Sequence, residues 1–154
     1  QDMLTRSRLQ KADLRELLLT ELQQVFGNDM ERMDLSGPTV ELDEQTTQAL
    51  GLTFHELATN ALKYGHADAA ALKLKVAWSL AESKPIRRLA LTWTERSGAQ
   101  GAEGKPSAAK PAAPEKTGFG TKLIDMNIKR ELGGEIERRY GKEGLTVAIS
   151  VPLK

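Results

Sequence analysis

The sequence LGLTFHELATNALKYG, at residues 50 to 65, has the pattern that most clearly indicates the fold. On a helix of 3.6 residues per turn, its apolar residues fall within an arc of about 140°. They are Leu50, Phe54, Leu57, Ala58, Ala61 and Leu62. We therefore predict an amphipathic helix that starts at Asp43 or Thr46, ends near Gly65 and buries this arc in the core.

A second arc of the same helix, about 60° wide, carries Glu56, Asn60 and Lys63. Glu56 and Asn60 lie about one turn apart along the axis. An Asn oxygen can ligate magnesium, a carboxylate can accept a proton from an attacking group, and a Lys can neutralise phosphate. The arc is therefore a candidate site for a magnesium nucleotide. The alternative is that all three residues are solvated surface groups.

The composition narrows the class of protein. A chain of 154 residues fits one domain, residues 1–154, with a self-sufficient core. Its net charge of +1 gives no electrostatic reason to expect a nucleic-acid or membrane-surface partner. The absence of Cys fits a reducing compartment, and no apolar run could span a bilayer, so we expect a cytoplasmic domain. Because it opens on Gln1, we expect it to be a piece of a longer protein.

The first third of the chain predicts one helix and two short extended pieces. Apolar residues recur at helical spacing after Asp13, a candidate N-cap, and Gly27 followed by Asn28 supplies a stop. Residues 32–36 and 39–42 are extended in pattern, and the Gly37-Pro38 pair between them favours a turn. We expect these two pieces to form a hairpin or a pair of edge strands.

The later segments predict a sheet with one wet face. Apolar residues alternate with small or charged ones along residues 72–80, 89–93 and 145–153, and residues 135–140 are predicted to pair with the last strand through the turn at 141–144. Strands with a single apolar face imply a sheet that is covered on one side only. The expected fold is therefore α+β, a two-layer α/β sandwich whose mixed, mostly antiparallel sheet carries its helices on one face.

The segment between the predicted strand that contains Trp93 and the next predicted helix differs in composition. Residues 99–117 are dominated by Ala, Gly, Pro and Lys and lack any large apolar side chain, so burial cannot offset an ordering cost of about 1–2 kcal/mol per residue. We predict a mobile loop, either a linker or an active-site lid, and the short remainder of the chain favours the lid. Gly118 and Gly120 then lead into a helix. They are either plain turn residues or a means for backbone N–H groups to approach a phosphate.

The sequence HELATNAxKYG resembles the N-box of the HWE subfamily of bacterial sensor histidine kinases, members of the GHKL (Bergerat-fold) ATP-binding proteins. The subfamily is named for a His in the N-box and a later Trp-x-Glu, and this chain has His55 and then Trp93-Thr94-Glu95. The Gly-Pro turn, GFGTKLI, LGG and a last strand ending in Pro152-Leu153 follow the family's order, so the resemblance covers nearly the whole chain. The departure is a long Ala/Pro-rich segment after Ser97, where the family has a Gly-Gly-Pro sequence and a short lid.

The resemblance implies a catalytic domain that binds ATP with Mg²⁺. It also implies transfer of the γ-phosphoryl group to a histidine on a separate dimerisation domain of the same parent protein, which then serves a response regulator. Asn60 would ligate the magnesium, Glu56 would be the polarising carboxylate, and Lys63 would lie near the phosphates.

The remaining site residues are also implied by the resemblance alone. Glu95 would accept the adenine amino group, with Gly98 giving room for the base. The phosphate side would be lined by Gly118, Gly120 and Thr121, and Thr146 would lie on the adenine side.

Both histidines have interpretations other than phosphate acceptance. His55 lies about 140° from Asn60 on the helix, which favours a structural role, and His66 has no supporting neighbours in the sequence. Trp78 and Trp93, on alternating strands, are expected in the core. Two other functions stay open at this point: a GHKL-type regulator that binds nucleotide without transferring phosphate, and a non-enzymatic interaction domain.

Overall fold

The computed structural model describes residues 12–27, 31, 33–62, 72–83, 86–97, 118–141 and 144–153. The helices are α1 (Leu14–Phe26), α2 (Glu44–Asn60) and α3 (Gly118–Asp125), and α3 continues as a π-helical segment, Met126–Glu131. The strands are β1 (Ala12–Asp13), β2 (Met33–Ser36), β3 (Glu41–Leu42), β4 (Leu72–Ser83), β5 (Ile86–Ser97), β6 (Glu135–Tyr140) and β7 (Gly144–Leu153).

The main sheet has five strands in the order β2-β4-β5-β7-β6. The β2–β4 pairing is parallel and the other three are antiparallel, so the sheet is mixed and mostly antiparallel, as predicted. Along β4, Leu74, Val76 and Trp78 are buried, whereas Lys73 and Lys75 are exposed. One face of the sheet therefore lies against the helices and the other faces solvent, which confirms the predicted two-layer α+β fold.

The predicted pairing of the two short extended pieces is wrong. Strand β2 instead joins the main sheet beside β4, where Met33 is the partner of Leu74. Strand β3 pairs with β1 in a separate two-stranded sheet, with Leu42 opposite Ala12. Each piece thus has a different partner, and Gly37-Pro38 crosses between two sheets and is not a hairpin turn.

Contacts with α1 and β4 hold this crossing in place. The Arg15 guanidinium donates hydrogen bonds to the carbonyl oxygens of Leu35 (2.9 Å) and Gly37 (3.2 Å), and it lies 5.2 Å from the ring centroid of Trp78. Trp78 Nε1 in turn donates to the Pro38 carbonyl at 2.8 Å. A Cβ on Gly37 would collide with the Trp78 ring. Local turn propensity is therefore overridden by these longer-range contacts.

The helices α1 and α2 begin directly after residues that cap them. Asp13 accepts a hydrogen bond from the Glu16 amide (3.1 Å), which confirms it as the N-cap of α1, and the Gly27 amide closes that helix with φ of 64°. Asp43 accepts from the Thr46 amide at 2.8 Å, so α2 begins after Asp43. Of the two predicted starts of α2, Asp43 is the right one.

The last apolar residue of the predicted buried arc of α2 is misplaced. Leu62 is 40% exposed, although Ala61 beside it is buried. Leu62 lies at the edge of the predicted arc and beyond Asn60, the last residue of α2, where residues 61 and 62 have a π-helical conformation. The other five residues of the arc are buried, as predicted.

The centre of the core is an aromatic contact between the two layers. Phe54 of α2 stacks on Trp93 of β5, with ring centroids 6.4 Å apart and planes 10° from parallel, and both side chains have no exposed surface. The prediction that Trp78 and Trp93 belong to the core is confirmed, since they are 5% and 0% exposed. The stack fixes α2 over the middle strand of the sheet.

We predict that Phe54→Ala lowers the free energy of unfolding by about 3–5 kcal/mol, because it leaves a cavity over Trp93. Leu52→Ala on the same helix is the control, since Leu52 is 50% exposed and its loss should cost about 0.5 kcal/mol or less. Urea unfolding of both variants measures the difference. Equal losses would contradict the placement of α2.

Candidate functional site

The last two turns of α2 present Glu56 and Asn60. Both side chains are partly exposed, and no hydrogen bond or ion pair joins either of them to another described residue. Their spacing of four residues places them about 6 Å apart along the axis and on the same side of the helix. They are therefore available to a ligand at the C-terminal end of α2.

The first turn of α3 lies at the same end. Gln45, in the first turn of α2, donates from Nε2 to the carbonyl (3.3 Å) and carboxylate (3.2 Å) oxygens of Glu131 at the end of the π-helical segment. Both parts of that long helix pack against α2, so the two run antiparallel. Each spans about 20 Å from this contact, which brings Gly118 level with Asn60.

The C-terminal end of β5 lies at the same end of the fold as Asn60 and Gly118. Gly134, which follows the π-helical segment, packs against the backbone of Ser150 and Val151, and these pair with the first half of β5 at Ala90 and Leu89. The Glu131 end of the helices thus lies over the start of β5. The C-terminal end of β5, which carries Glu95, lies at the opposite end of the fold, where α2 ends and α3 begins.

Glu95 is the most strongly perturbed acid of the site. It is 3% exposed, on the helix-covered face of β5, and its Oε2 accepts a hydrogen bond from Trp93 Nε1 at 2.9 Å. Burial raises the pKa of Glu95 from 4.5 to about 7, and the hydrogen bond from Trp93 opposes that rise. A buried carboxylate with a raised pKa destabilises the folded protein at neutral pH, and such residues are concentrated at functional sites.

Sequence reasoning missed the role of Trp93 as a hydrogen-bond donor to Glu95. The signal was present in the sequence, because residues two apart on a strand point to the same face. Trp93 therefore links the aromatic stack below Phe54 to the carboxylate at the end of the strand.

Thr146 and Glu95 line one hollow, but their side chains leave opposite faces of the sheet. The register pairs Glu95 with Leu145, and Thr146 with Thr94, so the Thr146 side chain lies on the open face of the sheet. The residue that shares the covered face directly opposite Glu95 is Leu145, which is partly buried. The adenine-side role of Thr146 stays a prediction.

The other predicted site residues divide into two groups. Gly118 and Gly120 lie within the first turn of α3, not in a turn before it, and Thr121 follows them with a partly buried side chain. Lys63, Gly98 and the predicted lid at residues 99–117 lie outside the described residues, as does His66. Those assignments stay predictions.

His55 faces α1 and not Asn60. Its Nδ1 lies 3.2 Å from Glu21 Oε1, and the imidazole is 42% exposed while the carboxylate is 18% exposed. Gly51, one turn earlier on α2, also packs against α1, at Leu17 and Glu21. His55 therefore lies in the contact between α1 and α2, in agreement with a structural role.

The fold is found in solved structures of histidine kinases. A mycobacterial sensor histidine kinase, MprB, superposes with a TM-score of 0.60 over 94% of this chain and 98% of its own, at 14% identity. The catalytic domain of histidine kinase ThkA gives 0.59 over 93% and 94%, at 16% identity. The histidine kinase domain of a blue-light-activated kinase from Erythrobacter litoralis gives 0.57 over 87% and 57%, at 21% identity.

The curated relatives of similar sequence are also named histidine kinases. Blue-light-activated histidine kinase 1 of Erythrobacter litoralis is 35% identical over 137 residues, which is 88% of this chain and 35% of that protein. The blue-light-activated histidine kinase of Brucella ovis is 28% identical over 152 residues, 99% of this chain and 29% of that protein. This chain thus spans about a third of the length of these relatives. No protein-family model matches it.

Sequence and fold agree: the chain is similar in sequence to blue-light-activated histidine kinases and has the fold of solved histidine kinase domains. The resemblance to the HWE subfamily that its N-box and Trp-x-Glu motifs carry is confirmed by these relatives. Within the part of the chain that the structure describes, no helix is long and apolar enough to cross a membrane.

We predict that the raised pKa of Glu95 makes stability depend on pH. The folded protein binds this proton more tightly than the unfolded chain does, so the free energy of unfolding falls as pH rises from 4.5 to about 7. The fall is about 1.4 kcal/mol for each unit of pKa difference. Glu95→Gln keeps an acceptor for Trp93 and cannot ionise, so it should remove this component.

The measurement is the free energy of unfolding of both proteins between about pH 4 and about pH 8. The difference between them should favour the Gln variant increasingly as pH rises, because all other titrating groups are shared. Parallel curves would show that Glu95 titrates normally in the folded protein.

Proposed function

We propose that this chain binds Mg²⁺·ATP between the end of α2, the end of β5 and the start of α3. It would transfer the γ-phosphoryl group to a histidine on a separate dimerisation domain of the same parent protein, in two-component signalling that ends at a response regulator. The observation that carries the proposal is the convergence of Asn60, Glu95 and Gly118 at one end of the fold. ATP is a cytoplasmic substrate, so we place the domain in the cytoplasm.

The adenine side of the proposed site is Glu95. As a carboxylate held by Trp93 on the covered face, it can accept the hydrogen bond that an adenine amino group donates. Buried polar groups discriminate strongly among ligands, since a ligand that leaves them unpaired loses their desolvation energy. Gly98, three residues further on, would leave room for the base.

The phosphate side is the opening turn of α3. The first backbone N–H groups of a helix lack intrahelical partners, and the helix dipole favours negative charge there. Gly118 and Gly120 lack side chains that would obstruct a phosphate at this turn, and the Thr121 hydroxyl can donate a further hydrogen bond. Lys63, which follows α2, would add a positive charge.

The magnesium side is Asn60, whose carboxamide oxygen is a suitable ligand. Among the described residues, no group of three or more His, Asp or Glu side chains could hold a metal ion. A single Asn oxygen fits Mg²⁺, because proteins bind this ion through one or two oxygen ligands together with substrate phosphates and water. Bound there, the ion would neutralise charge on the phosphates.

Glu56 is placed to act on the attacking group. It lies one turn before Asn60 on the same side of α2, so a histidine that approaches the γ-phosphate would meet its carboxylate. Accepting a proton from that imidazole, or holding its N–H in line, is the contribution we assign to it. The rest of the catalysis would come from positioning and charge neutralisation.

We predict that Asn60→Ala weakens Mg²⁺·ATP binding by at least about tenfold, or about 1.4 kcal/mol, because it removes a direct ligand. The fold should be unaffected, since the side chain lies off the buried arc. Gln48→Ala, an exposed amide on the same helix, is the control. Calorimetric titration in magnesium measures both; unchanged affinity in the Asn60 variant would favour a solvated surface residue.

Glu56→Gln should instead lower the rate of phosphoryl transfer, by about 10²–10⁴-fold, with little change in nucleotide affinity. The Gln side chain keeps the shape of Glu but cannot take up a proton. Single-turnover transfer to the parent protein's acceptor domain, added in trans, separates the two quantities. If the variant loses nucleotide affinity and transfer rate equally, Glu56 contributes to nucleotide binding and not specifically to the transition state.

The test of the whole proposal is phosphate labelling with γ-labelled ATP. The chain alone should bind ATP without labelling itself on histidine, and the acceptor domain should become labelled, faster when tethered than in trans because tethering raises the effective concentration. ATP binding without transfer to any acceptor would favour the nucleotide-binding regulator. Stoichiometric acid-labile phosphate on His55 or His66 would overturn the proposal.

A further inference from the structure

The face of the sheet opposite the helices carries a shallow groove. Two adjoining hollows, of about 720 Å³ and 380 Å³, share Thr94 and Arg96 and extend from β2 across the sheet to β6. The floor is formed by small side chains, among them Ala77, Thr92 and Thr94. Glu95 also lines the smaller hollow, so the groove borders the proposed nucleotide site at the end of β5.

Four cations line the groove: Lys73 and Lys75 of β4, Arg96 of β5 and Arg139 of β6, all exposed. We call them the basic strip. Lys73 and Arg96 are directly opposite in the antiparallel register, so two like charges share one cross-strand position. Such a pair is destabilising. Among the described residues, no ion pair involves Lys73 or Arg96, which points to a ligand that supplies the missing negative charge.

The dimensions of the basic strip indicate the kind of ligand. Lys75, Thr94, Thr146 and Arg139 follow one another across four adjacent strands. Three strand spacings make this row about 14 Å long. A single phosphate cannot reach both ends. An extended peptide of about five residues can, and its alternate side chains, about 7 Å apart, would all face the sheet.

Acidic residues limit the strip at both ends. Glu31 and Asp34 lie on the β2 side, where Asp34 is the neighbour of Lys75. On the β6 side, Glu137 is 4.0 Å from Arg139, but both side chains are mostly exposed, so their ion pair contributes little. The uncompensated charge is therefore centred on Lys73 and Arg96, and the flanking acids would repel an acidic ligand that slid beyond the groove.

We propose that the basic strip docks an extended acidic segment of a partner protein, with carboxylates at alternate positions. The chain as a whole has a net charge of only +1, which disfavours a nucleic acid, because phosphate backbones are bound by broad basic surfaces. The four cations lie on the face opposite α2 and α3, although Glu95 lines the hollow on the β6 side. The peptide is titrated without nucleotide, so the outcome does not depend on nucleotide binding.

The test uses a short fluorescent peptide of alternating Glu and Ser, titrated with the whole chain and followed by anisotropy. Binding should be saturable and should weaken with added salt. Lys73→Glu should weaken it by about tenfold or more, and the double variant with Arg96→Glu further. Arg130→Glu, an exposed cation on the helical layer, is the matched control and should leave binding nearly unchanged.

Thermal unfolding supplies an independent readout. Lys73→Glu turns the like-charge pair into an attractive one, so the Tm should rise while peptide affinity falls. A merely structural role for Lys73 would not give these opposite effects. Absence of saturable binding, equal losses with Arg130→Glu, tighter binding of a single-stranded oligonucleotide, or a lower Tm for Lys73→Glu would each overturn the proposal.

Discussion

The contact on which the structure depends is the stack of Phe54 on Trp93. It joins the central helix to the middle strand of the sheet, with both rings fully buried. The same indole donates to Glu95, so one residue fixes the position of the helix and orients the carboxylate at the end of the strand. Core packing and the geometry of the site are therefore not separable here: a shift of α2 over the sheet would move Asn60 relative to Glu95.

The site is destabilising to the fold that holds it. Burial of Glu95 raises its pKa to about 7, so ionising it at neutral pH costs folding free energy, and within the described residues a single hydrogen bond, from Trp93, offsets that cost. An apolar residue would stabilise this position more. Retention of a buried carboxylate beside the end of α2 is what a site for a polar ligand requires, and a ligand that pairs with it would recover part of the cost.

Much of the fold follows from sequence periodicity, because burial on one face leaves a direct record in residue spacing. The buried arc of α2 and the alternation along β4, β5 and β7 are examples. The pairing of β2 and β3 did not follow, since it depends on Arg15 and Trp78 contacting a crossing that local turn signals describe as a hairpin. The face of the sheet that Thr146 occupies did not follow either. Its proposed role was carried over by motif position, and only the register with β5 shows on which face its side chain lies.

The central claim is that three separate segments form one nucleotide site. The most direct measurement is the change in backbone amide NMR shifts of the isotope-labelled chain on titration with Mg²⁺ and a non-hydrolysable ATP analogue. We predict the largest changes at Asn60, at Glu95 and at Gly118 to Thr121, with saturation at a common ligand concentration and little change at Lys73 and Lys75 of the basic strip. Changes centred on the open face of the sheet, or different saturation at the three segments, would contradict it.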